Sequence, residues 1–231
     1  KRRYDVSSLQ AVIHGAAPIG VESKKALIDW WGPVIFEYYG ATEGGGTIAN
    51  SADWLKKPGT VGKPWPGTEI RIFDEAGQPV PAGQPGNVYM KSMIGEFEYY
   101  KDPAKTQESR HGELFTVGDI GYLDEEGWLF LCDRAKDLII AGGVNIYPAE
   151  IEKVLMEHPK VADAAVFGIP NEEWGEEVKA VIQAADGVEP GPALAEELLR
   201  FATERLARFK LPRSIDFIAE LPRLDTGKLY K

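Results

Sequence analysis

The chain has 231 residues, 44% of them hydrophobic and 27% charged, with a formal net charge of -10. That length suffices for one large domain or two ordinary ones. The acidic balance argues against non-specific binding to nucleic acid or an anionic membrane, while still permitting a small anionic ligand held by local basic residues. A single cysteine, Cys132, excludes an internal disulfide framework and reads as a buried thiol in the apolar run Trp128 to Cys132. No apolar run approaches the roughly 18 residues that span a bilayer, and Lys1-Arg2-Arg3-Tyr4 does not open a signal peptide. A soluble, cytoplasmic protein is the expectation.

Three composition zones follow in chain order. In residues 1–58, apolar runs at Leu9 to Ile13 and Val34 to Phe36 flank a helical pattern from Val21 to Trp31. Strand, helix, strand is the tail of a parallel α/β layer. Residues 59–132 are rich in Gly and Pro. Short strands at Thr68 to Phe73, Asn87 to Ser92 and Trp128 to Cys132 alternate with turns such as Asp74-Glu-Ala-Gly77 and Asp124-Glu-Glu-Gly127. Strands this short predict a small β-barrel or sandwich.

The charged link Asp133-Arg-Ala-Lys-Asp137 leads into a separate α+β domain over 138–231. Its predicted strands are Leu138 to Ala141, Asp163 to Gly168, Val178 to Ala184 and Arg213 to Ile218. A helix begins at Pro148, where proline suits the first turn. A second helix over about 193–209 carries an apolar stripe of Leu194, Leu198, Phe201, Ala202 and Phe209.

Four motifs stand out in this order: His14-Gly-Ala-Ala-Pro18, Tyr38-Tyr-Gly-Ala-Thr-Glu-Gly-Gly-Gly46, Thr116-Val-Gly-Asp119, and Lys228 behind Thr226-Gly227. Between the last two lies Asp133 to Glu152 (DRAKDLIIAGGVNIYPAEIE). Singly, each reads as a turn, a connector or a solvated terminal lysine. Together they resemble the adenylate-forming superfamily of acyl-CoA synthetases, aryl-CoA ligases and luciferases, over essentially the whole chain.

The resemblance implies ATP, Mg²⁺ and CoA as cofactors, with a carboxylic acid as substrate. Its chemistry needs a flat ring on adenine, a donor at the α-phosphate and a hard oxygen ligand for Mg²⁺. Tyr39, Thr42 and Glu43 match these in order, and Gly40 gives the backbone room to turn. Gly15, Ala16 and Ala17 match the other adenine wall, where small residues let the backbone approach the base. Asp119 matches the acceptor of the ribose hydroxyls, a charge-assisted contact, with Arg134 on the same ribose. Lys136 matches the pivot of a mobile C-terminal domain.

Lys228, 19 residues beyond Phe209, matches the catalytic lysine. A carboxylate and a phosphate must meet, and an ammonium stabilises the charge that develops on the equatorial oxygens. Gly142 and Gly143 match a loop lining the pantetheine tunnel, with Trp174 as a CoA contact. The histidines His14, His111 and His158 show no metal spacing, and His14 is expected near the acyl pocket.

The family's full enzymes are more than twice this length and carry an earlier Ser/Thr/Gly-rich phosphate loop ending in lysine. No such loop occurs in these 231 residues. The expectation is therefore the C-terminal portion of a fatty-acyl-CoA-synthetase-like enzyme, inactive alone and dependent on the missing N-terminal part. A non-catalytic nucleotide-binding module and an adenylation domain serving a carrier protein are the alternatives. Gly44-Gly-Gly46, with no side chain to block the floor of an acyl pocket, favours a fatty or other bulky acyl group.

Overall fold

The structure is a computed structural model that describes residues 4–223 and Leu229. It divides into two compact units, Lys1–Cys132 and Asp133–Lys231. The first unit opens with β1 (Val12–His14), α1 (Val21–Trp31), β2 (Ile35–Gly40), β3 (Gly46–Asn50), α2 (Ser51–Lys56) and β4 (Lys63–Pro64). These strands form one sheet in the order β1-β2-β3-β4. β1 and β2 run parallel, pairing His14 with Glu37, and α1 is the crossover between them. The remaining pairings are antiparallel. The sequence places α1 at the bounds observed; β3 and α2 were not anticipated. Asn50 starts α2 by accepting a hydrogen bond from the Asp53 backbone at 2.9 Å.

One face of this sheet packs Ile35, Ala49 and Trp54 with Ile28 of α1. Two charges sit on the same buried face. Lys24 is 0% exposed and Glu37 7%; their side chains touch, and the Lys24 ammonium lies 4.5 Å from the Trp54 ring centre. His14 Nε2 stands 3.4 Å from the other Glu37 oxygen. Burial pushes the Lys24 ammonium down, against the attraction of Glu37. Burial pushes Glu37 up, but the contacts from His14 and Lys24 outweigh it and hold this carboxyl below its usual range. One carboxylate thus ties α1, β1 and β2 together.

The second sheet contains β5 (Ile70–Phe73), β6 (Gly86–Lys91), β7 (Arg110–His111), β8 (Leu114–Phe115), β9 (Asp119–Leu123) and β10 (Leu129–Arg134), with α3 (Pro103–Glu108) between β6 and β7. The barrel expected over 59–132 does not close. One edge of β6 takes β5, while the other is shared between β9 at Gly86–Asn87 and β8 at Met90–Lys91. The sheet therefore forks, and β7 and β8, at two residues each, are too short to carry it round. Val88, Met90, Phe115 and Leu129 fill its core. Cys132, expected buried, is partly exposed.

The second unit follows a 3₁₀ turn at Ala135–Asp137 with β11 (Ile139–Ala141), β12 (Val144–Ile146), α4 (Pro148–Met156), β13 (Val161–Asn171), β14 (Gly175–Ala184), α5 (Pro192–Thr203) and β15 (Ser214–Phe217). Long antiparallel β13 and β14 form the spine of its sheet, and β15 joins β14 in parallel. Ile151 and Leu155 of α4 and Leu194, Leu198 and Ala202 of α5 pack against Val166, Ala180 and Ile182. Each Val, Leu or Ile among them contributes about 1.5–3 kcal/mol by leaving water. The helix predicted to reach 209 stops at Thr203. Both Arg205 and Leu206 donate backbone N–H to the Ala202 carbonyl, which turns the chain and sends Leu206 into the core. Phe209 lies in a 3₁₀ turn and is 51% exposed, so it leaves the stripe.

Removing one partner of the buried pair should be costly. Lys24→Met is expected to destabilise the first unit by about 3 kcal/mol or more in urea denaturation followed by tryptophan fluorescence, and Lys24→Met with Glu37→Gln should recover much of that. Because the folded Glu37 pKa is depressed, its stabilising contribution is present above the ordinary carboxyl value of 4.5 and lost as pH falls through the folded value. The stability gap between the wild type and Glu37→Gln should narrow in that acidic window and nowhere above it.

Candidate functional site

β1 and β2 end side by side, and the loops after their carboxyl ends carry most of the singled-out residues of the first unit. After His14 the chain passes through Gly15, whose position allows no side chain: a Cβ would stand 2.5 Å from Tyr38 Cε1 and 2.7 Å from the Tyr38 carbonyl. Ala16 then takes φ 68, a left-handed conformation that costs a residue with a Cβ about 1 kcal/mol. This tight, strained path exposes backbone where a side chain would otherwise stand, and Ala17 continues it toward Pro18.

Tyr39 and Gly40 are the last residues of β2, and residues 41–45 are the hairpin loop into β3. Ala41 N–H donates to Gly45 O at 3.1 Å, and Gly44 N–H to Ala41 O at 3.0 Å, so the loop is compact. Gly40 was expected to free the backbone for a turn. It is absent from the positive-φ positions; its missing Cβ leaves space for Gly45 O at 3.1 Å and the Trp65 ring at 3.2 Å. The glycines at 44–46 do not border a void either. A Cβ at Gly44 would meet Ile94 and Ser92 within 2.7 Å, one at Gly45 would meet Met90, and one at Gly46 would meet the Tyr39 carbonyl. Close packing, and at Gly44 also a φ of 101, explains them, so they give no indication of a bulky acyl group.

Tyr39 and Asp119 come together across the first unit. The Tyr39 hydroxyl donates to Asp119 Oδ2 at 2.7 Å. Asp119 opens β9 behind Gly118, whose φ of 83 turns the chain, and is 9% exposed. Glu43 receives two hydroxyls: Thr42 Oγ1 donates to its Oε2 at 3.1 Å and the Tyr99 hydroxyl to its Oε1 at 2.7 Å. Burial, and then the adjoining Glu43 carboxylate, push Tyr99 up to about 12, so it stays a hydrogen-bond donor at neutral pH.

Sequence reasoning missed Tyr99. Its only signal is an aromatic cluster, Phe97 to Tyr100, ahead of the helix start Asp102-Pro103. Among the described residues no group of three or more His, Cys, Asp or Glu side chains could hold a metal ion by itself. Glu43 and Thr42 offer hard oxygen donors, which fits a Mg²⁺ shared with phosphate oxygens.

In the second unit, Gly142 and Gly143 form the turn between β11 and β12 at φ 59 and 79. Trp174 packs on this turn. Gly142 N–H donates to the Trp174 carbonyl at 2.8 Å, and a Cβ on Gly142 would stand 2.7 Å from Trp174 Cε3. Gly143 has nothing within 4 Å of a would-be Cβ. The Trp174 ring is 48% exposed, an apolar face beside an open glycine. Asp133 accepts from Arg134 N–H at 2.8 Å and from Ala149 N–H at 2.7 Å, which fastens the link to the first turn of α4. Lys136 is exposed and stands 3.8 Å from Asp137 Oδ1. Lys228 lies outside the described residues. Arg223 makes a two-pronged pair with Asp163, at 2.6 and 2.7 Å, and forms an isolated β-bridge with Leu229.

Two families match the sequence: "AMP-binding enzyme" over residues 1–100 and "AMP-binding enzyme C-terminal domain" over residues 150–228. The long-chain-fatty-acid–CoA ligase of Bacillus subtilis (strain 168) is 38% identical over 233 residues, a match that covers 100% of this chain and 41% of the relative. The fatty acid–[acyl-carrier-protein] ligase ScoC of Streptomyces coeruleorubidus is 37% identical, covering 98% of this chain and 44% of the relative. The o-succinylbenzoate CoA synthetase of Bacillus subtilis, solved with its acyl-adenylate intermediate, superposes with a TM-score of 0.85 at 32% identity over 95% of this chain and 44% of that one. The chain thus spans less than half the length of these relatives.

Tyr39→Phe removes a charge-assisted hydrogen bond to a buried carboxylate, a loss of about 1.5–3 kcal/mol. A urea-denaturation midpoint lowered accordingly, with the slope unchanged, is the expected outcome; an unchanged midpoint would show that the contact carries no stability.

Proposed function

Because the chain belongs to the AMP-binding, adenylate-forming enzyme family, we propose that it is the C-terminal portion of an ATP- and Mg²⁺-dependent acyl-CoA synthetase. The observation that carries this reading is the Tyr39 hydroxyl on Asp119, which sets an aromatic ring and a buried carboxylate in fixed relation. In open α/β sheets, ligands bind beyond the carboxyl ends of parallel strands, where β1 and β2 end here.

On this reading Tyr39 stacks on adenine, and the backbone of Gly15, Ala16 and Ala17 meets its edge. Asp119 accepts from the ribose hydroxyls, with Arg134 on the same sugar. Thr42 donates to the α-phosphate, and Glu43 holds Mg²⁺, which neutralises phosphate charge. An oxygen of the acid's carboxylate attacks the α-phosphorus, and pyrophosphate leaves. Lys228 stabilises the negative charge gathering on the equatorial oxygens, a contribution confined to the transition state. A thiolate then attacks the acyl carbonyl, and AMP departs. Lys136 serves as the pivot between the half-reactions.

The Gly142-Gly143 turn with Trp174 over it is proposed to receive the pantetheine arm, since an exposed indole and an open glycine leave room for a narrow chain. Free CoA is the preferred acceptor. The similarity to a carrier-protein ligase supports a second reading in which the same arm arrives on a protein.

The test uses the enzyme that contains this chain and separates its two half-reactions. Lys228→Ala should cut adenylation, followed by pyrophosphate exchange, by at least about a hundredfold. Thioester formation from supplied acyl-AMP should stay near the wild-type rate. Normal adenylation by the variant would remove Lys228 from the mechanism. Gly143→Val should do the reverse, and an equal loss in both half-reactions would contradict a pantetheine path at that turn.

A further inference from the structure

We infer that Tyr99 is a positioning residue for Glu43, holding one carboxylate oxygen by hydrogen bond so that the carboxylate faces the Mg²⁺ site in a single orientation. The inference rests on the assignment of Glu43 to the cation. It goes beyond that assignment, because Tyr99 belongs to none of the recognised motifs and lies 56 residues from its partner.

A lone glutamate on a hairpin loop is a poor ligand by itself. Its side chain has three rotatable bonds, and ordering a side chain of this kind costs up to about 1.5–2 kcal/mol. Here that cost is met before any ligand arrives. Tyr99 donates to Oε1 at 2.7 Å and Thr42 to Oε2 at 3.1 Å; once the single Thr42 O–H turns to the phosphate, Tyr99 is the hydroxyl that keeps hold of the carboxylate. Each oxygen keeps a further lone pair for a cation, as a carboxylate can accept about four contacts. Both donors are hydroxyls, which add no charge to compete with the metal.

Tyr99 is itself held. Its backbone N–H donates to Thr106 Oγ1 of α3 at 2.9 Å, and that hydroxyl donates in turn to the Asp102 carbonyl at 2.9 Å. Asp102 caps the helix by accepting from Lys105 N–H at 3.0 Å. The ring packs edge-on against Phe97 at 5.4 Å, Phe97 packs against the core residue Phe115 at 5.1 Å, and the Lys105 ammonium lies 4.4 Å from the Tyr99 ring centre. The hydroxyl is therefore presented from a fixed support. A short helix, a capping aspartate and an aromatic pair have a common purpose in aiming one O–H.

The experiment uses the enzyme that contains this chain, with Mn²⁺ as the probe cation in the presence of ATP. Mn²⁺ affinity is read by electron paramagnetic resonance, a binding measurement that needs no turnover. Tyr99→Phe keeps the ring and its packing, so the thermal midpoint should stay close to wild type. The Mn²⁺ dissociation constant should rise about tenfold, the equivalent of one charge-assisted hydrogen bond near 1.4 kcal/mol. The Mg²⁺ concentration for half-maximal adenylation should rise by the same factor, with kcat at saturating Mg²⁺ nearly unchanged. Glu43→Gln provides the comparison and should weaken Mn²⁺ more strongly. Weakened Mn²⁺ in Glu43→Gln with wild-type affinity in Tyr99→Phe would overturn the positioning role and leave the ligand assignment standing. Wild-type affinity in both would remove Glu43 from the cation site, and the inference with it.

Discussion

The hydrogen bond from Tyr39 to Asp119 is the constraint on which the rest of the first unit's site depends. The two residues are 80 apart in sequence and belong to different sheets, one at the end of β2 and the other at the start of β9. Burying a carboxylate is costly unless it is hydrogen-bonded, and the Tyr39 hydroxyl is one of the groups that offset that cost. Once the bond exists, the ring, the carboxylate and the hairpin loop that follows are fixed relative to one another. On the proposed function, that preorganisation spares a nucleotide the cost of ordering the surface on binding.

The layers beneath supply the stiffness. Glu37 of β2 binds Lys24 of α1 and faces His14 at the end of β1, so both parallel strands are anchored to the same buried charge. A pair of this kind adds little net stability compared with apolar packing, but an unpaired member is severely penalised. Its effect is to exclude alternative registers of β1, since sliding this strand by one residue would turn His14 away from Glu37. Gly15 and Ala16 follow immediately, and their close approach to Tyr38 and left-handed backbone rely on that register.

Much of this was legible in the sequence for plain physical reasons. Period and length disclose α1, and uninterrupted apolar runs disclose β2 and the β13–β14 spine. The barrel was a natural reading of short strands and frequent turns, but nothing local tells that β6 will divide one edge between two partners. The end of α5 was missed because Phe209 continues the helical spacing, whereas the helix stops at Thr203, six residues earlier. Motif spacing picks out Tyr39, Thr42, Glu43 and Asp119 as candidates. It has no access to Tyr99, Lys24 or Glu37, whose importance comes from contacts 13 to 56 residues distant and from burial. The glycines at 44–46 sit where neighbouring backbone and side chains pack closely, which spacing alone does not disclose.

The most direct measurement is amide hydrogen exchange in the enzyme that contains this chain, with and without AMP, resolved to short peptides. Slowed exchange at residues 15–17, 39–43 and 117–120, with little change along the outer strand β7, is the predicted result. Slowing confined to other parts of the molecule, with those three stretches exchanging as fast with nucleotide as without it, would contradict a nucleotide site organised around Tyr39 and Asp119.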